Sequence, residues 1–224
     1  MEEQEVTKRY ESLYAGVIYD ALVFDIGYKD PFVLDYEIKD RTYTGKYFGR
    51  AFTCLGQKVK KLEDIDDTVR IEMFKYFPNN CVQVIDTSGD RSVAHFGDIS
   101  GKLAKKFGAK CAVIDGFTRD VDILKDDNYS VFCRNSTPID AFERWQIVDF
   151  NCNVSMPSVS GCPVKVTPED FLFCGSDGVI VVKGELVNEV LRLAEIRSEK
   201  EALVREEIKY TSDIQGLYDR IGRW

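Results

Sequence analysis

The chain has 224 residues, 44% of them hydrophobic and 30% charged, and a formal net charge of −8 at pH 7. That length and composition suit one α/β or β-rich domain, residues 1–224, with a full core. The acidic balance argues against nucleic acid as a partner, and no run approaches the about 20 apolar residues that would place the chain in a membrane.

The first residues, MEEQEVTKRYE, lack the basic-then-apolar pattern of a signal peptide, so a cytoplasmic location is expected. Seven cysteines (Cys54, Cys81, Cys111, Cys133, Cys152, Cys162 and Cys174) are scattered without a C-x-x-C spacing. They read as reduced thiols, mostly packed in the core.

In chain order, residues 6–26 carry Leu13, Val17, Ile18, Ala21 and Leu22 at helical spacing and predict an opening helix or helix pair. KYFGRAFTCLG predicts a strand entered through Gly45 and Gly49. Residues 62–77 read as an amphipathic helix, with Ile65, Val69, Met73 and Phe77 on one face and Pro78 as its stop. CVQVID, 81–86, is a predicted strand closed by the turn-forming TSGD.

A helix over 98–107 is stopped by Gly108 and followed by a strand over 110–115. Further strands are predicted at SVFCR, QIVDFN and PVKVT. FLFCGSDGVIVV reads as a hairpin turned at Ser176, Asp177 and Gly178. A long charged helix spans about 184–210, with Leu186, Val190, Leu193 and Ala194 as its apolar stripe. Its charges read as a solvated face, and its length would also let it reach a neighbouring subunit.

The chemistry concentrates between Ala94 and Asp120. Asp98 falls in the first turn of the 98–107 helix, whose leading amides have no intrahelical partner and carry partial positive charge. A carboxylate or phosphate is therefore welcome at Ile99 and Ser100. Alone, Asp98 would be no more than an N-cap. The apolar run KCAVIDG, however, ends at Gly116, and Arg119 and Asp120 follow in a loop at the strand's C-terminal edge. A helix that returns to a strand in this order brings Asp98 and Asp120 together, with Arg119 between them. Two carboxylates without a soft ligand suit a hard cation, Mg²⁺ or Mn²⁺, and a guanidinium suits an anionic substrate oxygen. Metal, arginine and helix terminus together fit an α-keto acid passing through an enolate.

Gly97-Asp98, then twenty residues from Ile99 to Thr118, then Arg119-Asp120 resembles the signature of the class II 4-hydroxy-4-methyl-2-oxoglutarate/4-carboxy-4-hydroxy-2-oxoadipate aldolases. These are relatives of the regulator of ribonuclease E activity A. YDAL at 19–22, GRAFT at 49–53, the IDG before Phe117 and SDGVIVV at 176–182 resemble further blocks of that family. The resemblance covers about residues 10–205. It implies the swivelling β/β/α domain, assembled as a homotrimer or homohexamer with sites at subunit interfaces.

It further implies Asp120 as direct metal ligand and Asp98 as holder of a metal-bound water. Arg119 would bind the pyruvyl oxygen, and Gly97, Ile99 and Ser100 would receive the carboxylate. A glutamate of a neighbouring subunit is implied near the metal water, and Glu201 fits best, with Glu195 and Glu199 as alternatives. The expected activity is metal-dependent carbon–carbon cleavage, either retro-aldol cleavage of a 4-hydroxy-2-oxo acid or oxaloacetate decarboxylation. A related enzyme acting on another acid, or a non-catalytic regulator that docks on a protein, are the competing readings. One departure stands out: His95 replaces the first signature glycine. It would either line the substrate pocket or pack away from it.

Overall fold

In the computed structural model, which describes residues 3–30, 32–42 and 45–222, three parallel strands of one sheet each lead into a short strand of another. The larger sheet contains β1 (Lys39–Asp40), β2 (Tyr47–Lys58), β3 (Cys81–Asp86), β5 (Ala109–Ile114), β7 (Ser130–Cys133), β9 (Trp145–Phe150), β12 (Phe171–Gly175) and β13 (Gly178–Val182). Its order is β1-β7-β5-β3-β2-β12-β13, with β9 also paired to β2. The four strands β2, β3, β5 and β7 are mutually parallel, and the others join antiparallel.

The smaller sheet is all parallel, in the order β4 (Ala94–Phe96), β6 (Phe117–Thr118), β8 (Asn135–Ser136). Two crossovers join the sheets. β4 leads through α4 (Asp98–Phe107) back to β5, and β6 leads through α5 (Val121–Asp126) back to β7. Because β4 and β6 are parallel neighbours, the two helices start side by side, and this places the site.

The apolar runs CVQVID and AKCAVI form these strands because both faces are covered. On one side, α1 (Glu3–Ser12), α2 (Ala15–Asp20) and α6 (Val187–Ile208) pack Tyr10, Val17, Ile18, Val190 and Leu191 against Phe48 and Phe173. Tyr10 stacks on Phe48 at 3.7 Å and donates to the Val187 carbonyl at 2.7 Å, so its hydroxyl is not buried without a partner. Opposite, the hairpin of β10 (Val154–Met156) and β11 (Val164–Val166) covers Val84, Val113 and Phe132. A third cluster joins Ala104, Leu124, Ile114, Phe96 and Trp145 beneath α4. Full burial of each large side chain is worth about 1.5–3 kcal/mol.

Several elements depart from expectation. The 62–77 helix is only α3 (Thr68–Met73) between short 3₁₀ turns, because Asp66 and Asp67 favour turn geometry before it. Gly49 lies inside β2 rather than at its entry; a Cβ there would stand 2.2 Å from the Asn80 carbonyl oxygen, so close strand approach requires it. The segment after α2 continues as a π-helix, Ala21–Ile26, closed by left-handed Gly27. The charges of α6 are only partly solvated. Glu195 pairs with Arg9 at 2.6 Å and Arg197 with Asp25 at 2.6 Å, pinning α6 to the N-terminal helices. A last helix, α7 (Ile214–Ile221), follows it. Five cysteines are buried, Cys152 is half-buried and Cys162 exposed, all as free thiols. Among the described residues, no helix is long and apolar enough to cross a membrane.

Candidate active site

The helix over 98–107 forms as expected. Gly97 caps it in extended conformation, and Gly108 closes it at φ 119° with its N–H on the carbonyls of Ala104 and Lys105. Asp98 is therefore the first helical residue rather than the cap, and its carboxylate is freed from capping. It accepts from Lys102 Nζ at 3.0 Å, an i,i+4 pair, and this partner holds the Asp98 carboxyl below the usual carboxylate range.

Arg119 and Asp120 do not sit in an open loop. They follow β6 directly, with the Arg119 N–H on the Phe96 carbonyl at 2.9 Å, and Asp120 is the N-cap residue of α5. Asp120 is left-handed at φ 58°, a conformation aspartate tolerates better than most residues. Its carboxylate does not cap its own helix; Oδ2 reaches the Asp98 N–H at 3.4 Å. A Cβ at Gly97 would lie 2.7 Å from that oxygen and 3.2 Å from Arg119 Cγ, so a side chain at position 97 would break the arrangement.

The sequence thus brings Asp98, Arg119 and Asp120 together, with one correction. Arg119 is not held between the two aspartates. Its Nε lies 3.4 Å from Asp120 and its Nη1 2.5 Å from Asp140. Asp140 is a site residue that sequence reasoning missed. After β8 the chain comes round to the outer edge of β4, where the Ala94 N–H bonds Ile139 O at 2.9 Å. Locally Asp140 reads as a turn residue, accepting the Phe142 N–H at 2.7 Å. That N–H, followed by Arg119, holds its carboxyl below the ordinary range.

These groups line a cleft of about 300 Å³. Gly97, Asp98, Ile99, Ser100, Arg119 and Asp120 line it together with Val59, Ile65, Arg70, Phe142 and Gln146, and Asp67, Asp140 and Glu143 add further carboxylates. Ile99, exposed, and Ser100, half-buried, line the cleft at the start of α4, where first-turn amides have no intrahelical partner. His95 borders the cleft as well, but its side chain is 0% exposed and its ring stands edge-on to Trp145 at 4.8 Å. Glu201 is not at the cleft of its own chain. It accepts from Tyr14 Oη and from Arg205 at 2.6 Å, and lines a separate depression with Phe24, Asp25 and Arg197. Glu195 is engaged by Arg9, and Glu199 is exposed.

Among the described residues, no group of three or more His, Cys, Asp or Glu side chains is arranged to hold a metal ion. Of the carboxylates that line the cleft, Asp98 and Asp120, 19% and 32% exposed, are the pair brought together at the start of α4. All are hard oxygens, and two suffice for a cation such as Mg²⁺ that keeps most of its water. The donor set fits such an ion.

A protein of Halalkalibacterium halodurans, named as a candidate 4-hydroxy-4-methyl-2-oxoglutarate aldolase, is 32% identical over 134 residues, 59% of this chain and 60% of that one. The chain thus matches about three fifths of the length of such curated relatives. An uncharacterised Pseudomonas syringae protein superposes with a TM-score of 0.77 at 26% identity, covering 96% of each chain. Streptomyces coelicolor RraAS2, described as an unusual member of the RNase ES inhibitor RraA family, shares the fold at TM-score 0.74 and 18% identity, over 90% of this chain and 96% of its own. The RraA-like family, described as Aldolase/RraA, matches residues 17–181, and with that span and this fold the chain belongs to it.

Proposed function

We propose that the cleft is the active site of a divalent-metal-dependent lyase acting on 2-oxo acids through a pyruvate enolate. The observation that carries this reading is the convergence of Asp98, Asp120 and the Arg119 guanidinium on the first turn of α4. Asp120 would bind Mg²⁺ or Mn²⁺ directly and Asp98 through water, with Glu201 of a neighbouring subunit completing the surroundings in a homotrimer or homohexamer. Bound there, the cation supplies Lewis acidity to the keto and carboxylate oxygens.

The protein's own groups do the rest. The amides of Ile99 and Ser100, in the dipole of α4, receive the substrate carboxylate. Asp120 and Asp140 each take one edge of the Arg119 guanidinium, which orients its remaining N–H groups toward the substrate's keto oxygen. As the carbon–carbon bond breaks, its electron pair moves into the pyruvyl unit, and charge grows on that oxygen, where Arg119 stabilises it. The enolate then takes a proton at carbon to give pyruvate. In the retro-aldol cleavage this balances the proton that the 4-hydroxyl loses as its carbon becomes a carbonyl; in the decarboxylation, where carbon dioxide leaves, it comes from water. Retro-aldol cleavage of 4-hydroxy-4-methyl-2-oxoglutarate and decarboxylation of oxaloacetate share this course.

Val59, Ile65, Arg70 and Phe142, which also line the cleft, would select the group beyond the pyruvyl half, so another acid of this class is the second reading. Pyruvate release from both acids, with Mg²⁺ or Mn²⁺ and again with a chelator, tests the proposal. Chelator-sensitive release supports it. No release from folded, metal-supplemented protein contradicts it for these acids and favours another acid or a docking protein.

A further inference from the structure

Three residues before Asp98, β4 carries the sequence's single histidine; the residue borders the cleft, but its imidazole is 0% exposed. We propose that His95 is a positioning residue: its imidazole, held as the Nε2–H tautomer, brackets the Asp90 turn to β6 and fixes where Arg119 and Asp120 enter the cleft. The inference rests on the reading of those two residues as working groups.

The tautomer follows from the partners. Asp90 is 1% exposed and accepts from Lys58 Nζ at 3.0 Å, Ser92 Oγ at 2.8 Å and the Ser92 N–H at 3.3 Å. A buried carboxyl among so many donors is ionised. His95 Nε2, 2.9 Å from Asp90 Oδ2, must therefore donate. That leaves Nδ1 bare, and it accepts the Phe117 N–H at 3.2 Å, the first amide of β6. Two residues on, the Arg119 N–H closes the same β4–β6 ladder on Phe96 O.

The ring has no room to turn. Trp145 stands against it and is itself fixed by donating Nε1–H to the Thr87 carbonyl at 3.2 Å. On the far side, a Cβ at Gly116 would come within 2.4 Å of His95 Nδ1, so the glycine before β6 leaves the space that the imidazole fills. One ring thus ties the turn after β3 to the backbone that delivers the arginine.

A single histidine lets ¹⁵N-histidine labelling report this ring alone, alongside amide exchange at Phe117 and Arg119. The expected spectrum shows Nε2 protonated and Nδ1 bare, with both amides slow to exchange. His95→Asn, whose Oδ1 can take the place of Nδ1, should retain that protection. His95→Leu should speed both amides about tenfold and lower kcat for pyruvate release about tenfold with KM little changed. A ring protonated at Nδ1, unchanged exchange in His95→Leu, or unchanged kcat despite faster exchange would each overturn the proposal. If His95→Leu does not fold, the wild-type tautomer and the asparagine variant decide it. The exchange data need no turnover: a wild type showing this pattern without making pyruvate would retire the lyase reading and leave the bracket standing.

Discussion

Strand β4 separates two acidic settings that lie a few residues apart and behave differently. On one side, Asp90 is 1% exposed and meets Lys58, Ser92 and His95. On the other, Asp98 and Asp120 are 19% and 32% exposed, the first meeting Lys102 and the second the Asp98 N–H and the Arg119 guanidinium. A buried polar group must be satisfied in the folded chain, because leaving it unpaired costs about 1–3 kcal/mol. The first setting is complete and therefore structural. In the second, two half-exposed carboxylates and a guanidinium retain unused hydrogen-bonding capacity toward the cleft, which suits them to a ligand.

The contrast can be broken from either side. The largest effect is expected for Asp120→Ala, which should abolish metal-dependent pyruvate release while far-UV circular dichroism and oligomer size stay as in wild type. Full activity in that variant would remove Asp120 from the metal site. Next comes Arg119→Lys, where a point charge cannot span Asp120, Asp140 and substrate as a planar fork does; kcat should fall about 10²-fold. Near-normal turnover would show that charge alone suffices. Asp140→Ala should cost about tenfold in kcat by freeing one edge of that fork, with Asp140→Asn milder because it keeps an acceptor. Equal losses in the two variants would place the effect in charge rather than alignment.

On the structural side, Gly116→Ala forces a Cβ against His95 and should lower unfolding free energy by about 1–3 kcal/mol in a denaturant titration. An unchanged midpoint would mean that the ring can yield. The smallest effect is in pH. Burial pushes the His95 imidazole below its ordinary value of 6.5, outweighing the pull of Asp90. The unfolded chain then takes up a proton that the folded one refuses. Stability from this ring is present above pH 6.5 and lost as pH falls from there through the folded-state value. Thermal midpoints of wild type and His95→Asn should converge over that fall, and parallel curves would refute the assignment.

How much of this could be read in the chain depended on range. The α4 helix was legible because Asp98 and Gly108 bound it, and β3 and β5 because runs such as CVQVID are apolar on both faces. The Asp98 to Arg119-Asp120 spacing was legible because one crossover connects them. The strands β4, β6 and β8 were not, since two or three residues carry no periodicity. The six-residue α5 escaped for the same reason, and with it the capping position of Asp120. Asp140 was invisible because its partner lies 21 residues away, just past another strand. His95 was conspicuous as a residue, but its burial depends on Trp145 and Gly116, which only the fold brings to it.

The central claim is that this cleft forms a pyruvate enolate, and the most direct measurement is exchange of the pyruvate methyl protons for deuterium, followed by proton NMR in D₂O. The exchange needs the enolate and no particular group beyond it, so it does not depend on guessing the full substrate. The account predicts exchange that requires Mg²⁺ or Mn²⁺, stops with a chelator and is absent in Asp120→Ala. A folded, metal-supplemented wild type that leaves the methyl protons in place would contradict it.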